Sequence, residues 1–432
     1  MNEHSGEGTD DEVRPDSRMS RRRALGVAAG AVGAAVLTGK AVDALAQGAA
    51  ASATPVPPPP VAPADASTVP GLASGPSSVR SPFETPALTP VGVTSGSSLA
   101  PLQHIRGTIT PSDLHFQRHH NGIAVIDPRR YALVVHGLVE RPLVFTLEEL
   151  ERFPAVTRTC FVECSGNGRA AYRAPKREMT PQAVDGLTSN SEWTGVPVST
   201  LLKEAGVRRG AAWVLAEGGD AARLSRSVPM EKMLDDALIA YAQNGEAVRM
   251  PNGYPARLLL PGYEGNMSIK WIRRLEVIDQ PNMSRDETSK YTDPLPNGTA
   301  RQFSFVMDAK SIITAPAHPT RLSGPGWWPV TGLAWSGRGK IARVDVSTNG
   351  GLSWTQAELT SAVLPMAHTR FVHMWHWDGG PAQLMSRAID ETGYVQPTLE
   401  TFRRGRGAGT DYHFNAIRTW LVEQDGRVFF GG

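Results

Sequence analysis

Cysteine is nearly absent from this sequence. Its 432 residues hold two, Cys160 and Cys164, which excludes a disulfide framework and any four-thiolate zinc or iron–sulfur site built by this chain alone. That scarcity leaves room for one thiolate with a special role. Charge of one sign is also lacking. Lys+Arg 44 against Asp+Glu 42 leaves +2, so no net field draws the chain to nucleic acid or to an anionic membrane, and any anion site must be local. There is no Cys-x-x-Cys-His haem attachment, no Gly-rich phosphate loop leading into a helix, and no internal repeat. The apolar run over residues 26–38 is rich in Ala and Gly and falls short of the ~20 residues a spanning helix needs, which argues against a membrane anchor. Lysine is scarce among the basic residues, so a lysine placed within a motif is informative.

What is present suits a folded, multidomain chain. Hydrophobic residues make up 41% and charged residues 20%, enough for sizeable cores and too balanced for wholesale disorder. At roughly 150 residues per domain, two domains fit with length left for tails. Ser20-Arg21-Arg22-Arg23 before the apolar run, and Ala44-Leu45-Ala46 after it, read as a twin-arginine export signal over 1–46, which implies a periplasmic protein. Residues 47–100 are rich in Ala, Pro and Ser, with Pro57 to Pro60 in a row, and read as a flexible linker.

Over 101–304, strand-like runs at 131–135, 213–216, 257–260 and 272–278 are interrupted by helix candidates. One begins at Thr146, with Glu149 three residues on, and another covers 199–205. This is a mixed α+β pattern. From 305 to 432 only strands are predicted, at 311–314, 330–336, 342–347, 353–359, 370–377, 383–389 and 416–422, as in an immunoglobulin-like β-sandwich. Asn349-Gly350 predicts a tight hairpin.

The densest chemistry lies in Phe161-Val162-Glu163-Cys164-Ser165-Gly166-Asn167-Gly168-Arg169. A strand-like run delivers a cysteine into a loop of small residues, with Arg169 near enough to stabilise a thiolate and bind oxyanions. On these residues alone Cys164 reads as a nucleophile, as a metal thiolate or as a packed core thiol, and free cysteines are most often the last; Cys160 is assigned to the core. Arg118-His119-His120-Asn121-Gly122 gathers cations at a loop. Arg257 and Lys270 stand beside Gly-rich turns, in Pro255-Ala256-Arg257 and Gly265-Asn266-Met267-Ser268-Ile269-Lys270-Trp271, where cations and backbone N–H groups can hold a phosphate.

Together, the types, order and spacing of these segments resemble the sulfite oxidase family of molybdenum-cofactor enzymes across nearly everything from Pro101 onward. The resemblance implies an α+β molybdopterin-binding domain of sulfite oxidase type over 101–304, then an immunoglobulin-like dimerisation domain over 305–432. Cys-Ser-Gly-Asn-Gly-Arg is similar to the family's Cys-Ala-Gly-Asn-x-Arg loop. It implies Cys164 as the protein thiolate on molybdenum, Asn167 at the cofactor and Arg169 at the substrate anion. Arg118 and His120 match the family's Arg-x-His, which implies Arg118 at the substrate and His120 at the pterin. Pro-Ala-Arg and Ser-Ile-Lys-Trp match its pterin-gripping segments and carry Arg257 and Lys270 to the cofactor. Tyr291 falls at the family's active-site tyrosine, and Arg404, in Arg403-Arg404-Gly405, at a further substrate arginine. The sequence departs at Asn252, where many sulfite oxidases have a pterin-binding His, and shows no counterpart to their active-site Trp, so a different substrate pocket is expected.

Glu287 to Asp293 and Tyr412 to Ile417 look closest to the sulfane dehydrogenase branch of the family, from the bacterial Sox sulfur-oxidising system. That branch implies oxygen-atom transfer to sulfane sulfur on a carrier protein, or to sulfite, in a homodimer. With no haem site legible in this chain, the electrons would leave through a separate c-type cytochrome. Two other readings stand beside it: a reductase of the same fold acting on nitrate or a sulfoxide, and an exported binding protein without catalysis, since immunoglobulin-like modules often only bind.

Overall fold

The computed structural model describes residues 80–432 apart from 82, 93–95, 296 and 408; the export signal over 1–46 and most of the segment over 47–100 lie outside the described residues. Arg80–Gly432 forms one compact unit. The end of the expected linker is ordered. Thr89–Val91, Ser97–Leu99 and Gln117–Arg118 make a small antiparallel sheet, and Gln182 Nε2 donates to the carbonyls of Ala87 and Leu99 at 3.0 and 2.7 Å. Composition argued against this because the segment buries little of its own; it is held by groups elsewhere in the chain.

The first half carries two five-stranded sheets. In one, Val156–Glu163, Thr188–Pro197 and Leu238–Gln243 lie side by side, with Glu246–Ala247 and Arg257–Leu259 both paired to the last of these. In the other, Leu143–Phe145, Leu133–Gly137, Ile272–Ile278, Trp213–Gly218 and Ser225–Pro229 run in that order, and Ile272–Ile278 pairs with Leu133–Gly137 in parallel. Thr146 begins the helix Leu147–Arg152 with a complete capping box, in which each residue satisfies the other's free N–H. The helix Val198–Ala205 covers the second predicted one and ends at Gly206, whose φ is 73°. Val156–Glu163 starts in solvent and ends with four buried residues, so it carries the chain from the surface into the interior just before Cys164.

The second half is a β-sandwich. One sheet orders Lys310–Ala315, Gly326–Trp335, Thr369–Trp377 and Glu358–Leu359; the other orders Thr355–Gln356, Ile341–Ser347, Ala382–Asp390, Thr419–Val422 and Val428–Phe430. The strand expected over 353–359 is two short strands in different sheets. The tight hairpin at Asn349-Gly350 is absent. Pairing closes at Val346↔Thr355, and the wider loop is organised by Asn349 Oδ1, which accepts from Ser347 Oγ at 2.9 Å and from the Ser353 N–H at 3.0 Å. Asn-Gly supplies the positive φ, but the side-chain bonds of Asn349 favour the longer turn. The strand Val428–Phe430 and the helix Leu399–Arg406 were not foreseen.

One continuous core joins the halves, with Phe161 and Trp193 of the first packed in the same cluster as Trp335, Phe371 and Trp420 of the second. The boundary near residue 305 therefore marks a change of architecture within a shared interior.

Candidate active site

The loop after Val156–Glu163 is tied at both backbone groups of Cys164. Its N–H donates to the Leu187 carbonyl at 2.9 Å and its carbonyl accepts the Asn167 N–H at 2.8 Å. The Gly265 N–H donates to the Glu163 carbonyl at 2.6 Å, and a Cβ on Gly265 would stand 2.7 Å from that oxygen, so only glycine lets the two loops approach this closely. Asn167, expected at the cofactor, works within the loop: its Nδ2 donates to Glu163 Oε1 and its Oδ1 accepts the Leu187 N–H, both at 2.9 Å. Burial pushes the Cys164 thiol up, against a backbone hydrogen bond from Gly166 and the charges of Arg118 and Arg169. Burial also drives Cys160 up to about 12, in keeping with a core thiol.

Cys164 stands where a narrow inner pocket meets a wide outer vestibule, lining both together with Arg118, His120, Leu224 and Tyr291. The inner pocket holds two cations, buried Arg257 and half-buried Lys270. Arg257 donates from Nη1 to the Asn252 carbonyl and from Nη2 to the Ser268 carbonyl, each at 2.9 Å, and lies over the Trp193 ring at 4.9 Å. Lys270 Nζ reaches the carbonyls of Arg118 and Pro251 and sits 2.7 Å from His119 Nδ1. Among the described residues neither cation has a carboxylate within ion-pair distance. Burial lowers Lys270 well below the usual amine value, reinforced by the neighbouring charge of Arg257, and brings Arg257 down to about 10. With Asp220 the acidic side chain among its described lining residues, against Arg118, Arg257 and Lys270, the pocket carries a positive excess suited to an anion. His119 and His120 are driven down to about 3 and about 4, first by burial and then by the charges of Lys270 and Arg118, so both are neutral at pH 7. Asn252 is buried, donates to Gln243 Oε1 at 3.0 Å and lines the inner pocket.

Tyr291 Oη lies 2.6 Å from His120 Nε2. Burial raises this phenol, with the nearby Cys164 adding to the effect. Tyr291 has φ 52°, Trp271 53° and His413 60°; left-handed backbone is uncommon for large residues and collects at functional sites. Behind Tyr291 lies a group the sequence reading passed over. Arg226, 1% exposed, stacks on the Tyr291 ring at 4.9 Å, pairs with buried Glu264 at 3.3 Å and bonds Asn266 Oδ1. Asn266 Nδ2 then reaches Ser165 Oγ at 3.2 Å. Arg226 lies on an unremarkable strand with no motif around it, so only its contacts mark it out.

The vestibule is lined by Arg118, Arg169, Arg173, Arg223, Arg285 and Lys290, with Asp286 the acidic side chain among its described lining residues. Arg169 is at the mouth, donating to the Asp411 carbonyl at 3.0 and 2.7 Å. Arg404 does not reach the site. It lies on the helix Leu399–Arg406, 74% exposed and paired with Glu400 four residues away. Arg403 stacks on Tyr172 at 5.5 Å, while Arg173, Arg223 and Arg285 line the vestibule beside Arg118 and Arg169, Arg173 bound to Asp411 at 2.7 Å. The Arg-Arg-Gly pattern misled because its helix turns both guanidiniums along the surface.

Among the described residues no cluster of three or more His, Cys, Asp or Glu side chains stands ready for a metal. A metal at Cys164 would need most of its ligands from a bound group, as a dithiolene supplies, and Arg257 and Lys270, neither within ion-pair distance of a described carboxylate, suit that group's phosphate. The residues fit a molybdopterin.

The comparisons agree. Residues 120–286 match the oxidoreductase molybdopterin binding domain, and residues 301–419 the Mo-co oxidoreductase dimerisation domain. The crystal structure of the sulfane dehydrogenase SoxCD from Paracoccus pantotrophus superposes with a TM-score of 0.84 at 45% identity, over 88% of this chain and 99% of that one. NADH nitrate reductases of Ulva prolifera and Solanum lycopersicum are each 30% identical, over 74% and 69% of this chain but 42% and 37% of their own length. The chain thus spans about two fifths of the curated relatives it matches. Fold and site define a molybdopterin oxidoreductase. Within that class the chain belongs to the sulfite oxidase family, near SoxC.

Proposed function

We propose that this protein oxidises reduced sulfur in the periplasm, acting on sulfane sulfur held by a carrier protein or on sulfite and passing electrons to a c-type cytochrome. The observation that carries the reading is the cationic vestibule over Cys164, taken with the likeness over 88% of the chain to a sulfane dehydrogenase. The dimerisation-domain match supports a dimer, and the Arg-Arg pair ahead of an apolar run supports export.

In this reading Cys164 is the protein thiolate on molybdenum, while Arg257, Lys270 and His120 hold the pterin. The bound cofactor supplies two-electron oxygen-atom transfer. Arg118 and Arg169 orient the anionic sulfur group through charge-assisted N–H bonds, and Tyr291, backed by Arg226, offers its hydroxyl to the reacting anion.

The likeness to nitrate reductases favours a second reading, in which the same cations bind nitrate and electrons flow inward. Holoenzyme assayed with sulfite or a persulfide and oxidised cytochrome c, against nitrate with a reduced dye, separates the two. Molybdenum analysis and electron paramagnetic resonance of wild type beside Cys164→Ser test the metal assignment. A spectrum unchanged by that substitution would remove the basis of the proposal.

A further inference from the structure

The residue just before Cys164 is bound to the other half of the molecule. Glu163, buried at 1% exposure, accepts Lys310 Nζ at 3.0 Å and Asn167 Nδ2 at 2.9 Å on Oε1, and Trp335 Nε1 at 2.6 Å on Oε2. Lys310 also pairs with Oδ1 of fully buried Asp185 at 2.6 Å, and Arg418 approaches Oδ2 of that carboxylate at 3.4 Å. Two carboxylates from the first domain thus meet two cations from the sandwich in a buried, charge-balanced cluster. Its connection to the cysteine is short, because the Asn167 that binds Glu163 also donates its N–H to the Cys164 carbonyl. Arg418 and Asp185 press on the same loop from behind: Gly168 has φ 89°, and a Cβ there would lie 2.4 Å from Arg418 Nη2 and 2.8 Å from Asp185 Oδ1.

We propose that Lys310 is a positioning residue for Cys164: the second domain, through Lys310 and Trp335, holds Glu163 and so presets the loop that presents the thiol. The proposal rests on the reading of Cys164 as a metal thiolate. A buried ion cluster is weak evidence for stability, since its desolvation cost offsets the attraction, and geometric specificity is the better-attested reason to keep one. Without Lys310, Arg418 serves Asp185 and Glu163 keeps Trp335 as its described tie to the second domain, so that it can draw away with Asn167 and the cysteine loop.

The test compares Lys310→Met, Lys310→Met/Asp185→Asn and Trp335→Phe with wild type. The double variant restores charge balance without restoring the Lys310–Glu163 link, so it recovers the thermal midpoint and leaves the loop loose. In cofactor-free full-length protein at fixed pH, the single and double Lys310 variants should alkylate with iodoacetamide at Cys164 ~fivefold faster or more, read by peptide mass spectrometry with Cys160 as the internal control. In holoenzyme they should lose molybdenum faster on dialysis and broaden the Mo(V) resonance. Trp335→Phe, which removes a single donor to Glu163, should show the same effects more weakly and serves if the Lys310 variants do not fold. Wild-type alkylation and resonance in variants of lowered thermal midpoint would show a merely structural cluster and overturn the proposal. If Cys164→Ser leaves the resonance unchanged, the metal-thiolate reading fails by itself, and the alkylation rates still decide whether Lys310 sets the loop.

Discussion

Replacing Tyr291 by Phe removes one oxygen and leaves the rest of its environment in place. The ring keeps its contacts with Arg226 at 4.9 Å and Tyr412 at 5.3 Å, and the backbone N–H still donates to Tyr412 Oη at 3.2 Å. What is lost is the 2.6 Å contact with His120 Nε2. That site opens onto the vestibule, so water can take the vacated position and the stability cost falls at about 1 kcal/mol, the low end for a lost buried partner. The catalytic cost is larger if the hydroxyl serves the reacting anion. A preorganised donor aimed at developing charge contributes about 3–4 kcal/mol, or roughly 10²–10³ in rate. Steady-state oxidation of sulfite with cytochrome c should therefore show kcat falling by about two orders of magnitude, with a thermal midpoint within a few degrees of wild type and unchanged molybdenum content. A kcat/KM within about threefold of wild type would refute the role assigned to the hydroxyl. So would a loss of rate that tracks a loss of metal.

Arg257→Met removes a buried cation that lacks a carboxylate partner but also strips the donors from the Asn252 and Ser268 carbonyls. The two effects oppose, so thermal stability of the cofactor-free protein should change by under about 2 kcal/mol, while cofactor content, read by metal analysis, should fall severely. His368 is buried with Nε2 3.0 Å from Thr188 Oγ1 and is driven by burial down to about 3. Between pH 6.5 and 3 the unfolded chain binds the proton that the folded chain refuses, so stability falls as pH falls through that window. The contribution amounts to about 2 kcal/mol at pH 5. Denaturant midpoints of His368→Gln should accordingly lose less than wild type between pH 7.5 and pH 5, and parallel curves would contradict the assignment. Arg404→Ala should leave kcat/KM within about twofold of wild type, because its exposed pair with Glu400 is worth little. Arg118→Ala, at the junction of pocket and vestibule, should raise KM for an anionic substrate at least ~tenfold, and more at low salt.

Much of this molecule is written in local patterns. The capping box at Thr146, the strand over Ile272–Ile278 and the strands of the sandwich follow from periodicity and turn chemistry, which act within a few residues. Cys164, Arg118, His120, Arg257, Lys270 and Tyr291 were legible as candidates because short motifs carry them, and the fold brings all six to one pocket. Long-range geometry decided the rest. Asn167 binds its own loop, Arg404 turns outward with its helix, and Arg226 reaches the back of Tyr291 from a strand with no motif. The bond between Glu163 and Lys310 spans 147 residues. No pattern within the sequence signals such a pair, because burial and charge balance are properties of the packed interior. The chain's order of residues therefore determined which chemistry was on offer, and only the packed tertiary structure decided which side chains stand around the cysteine.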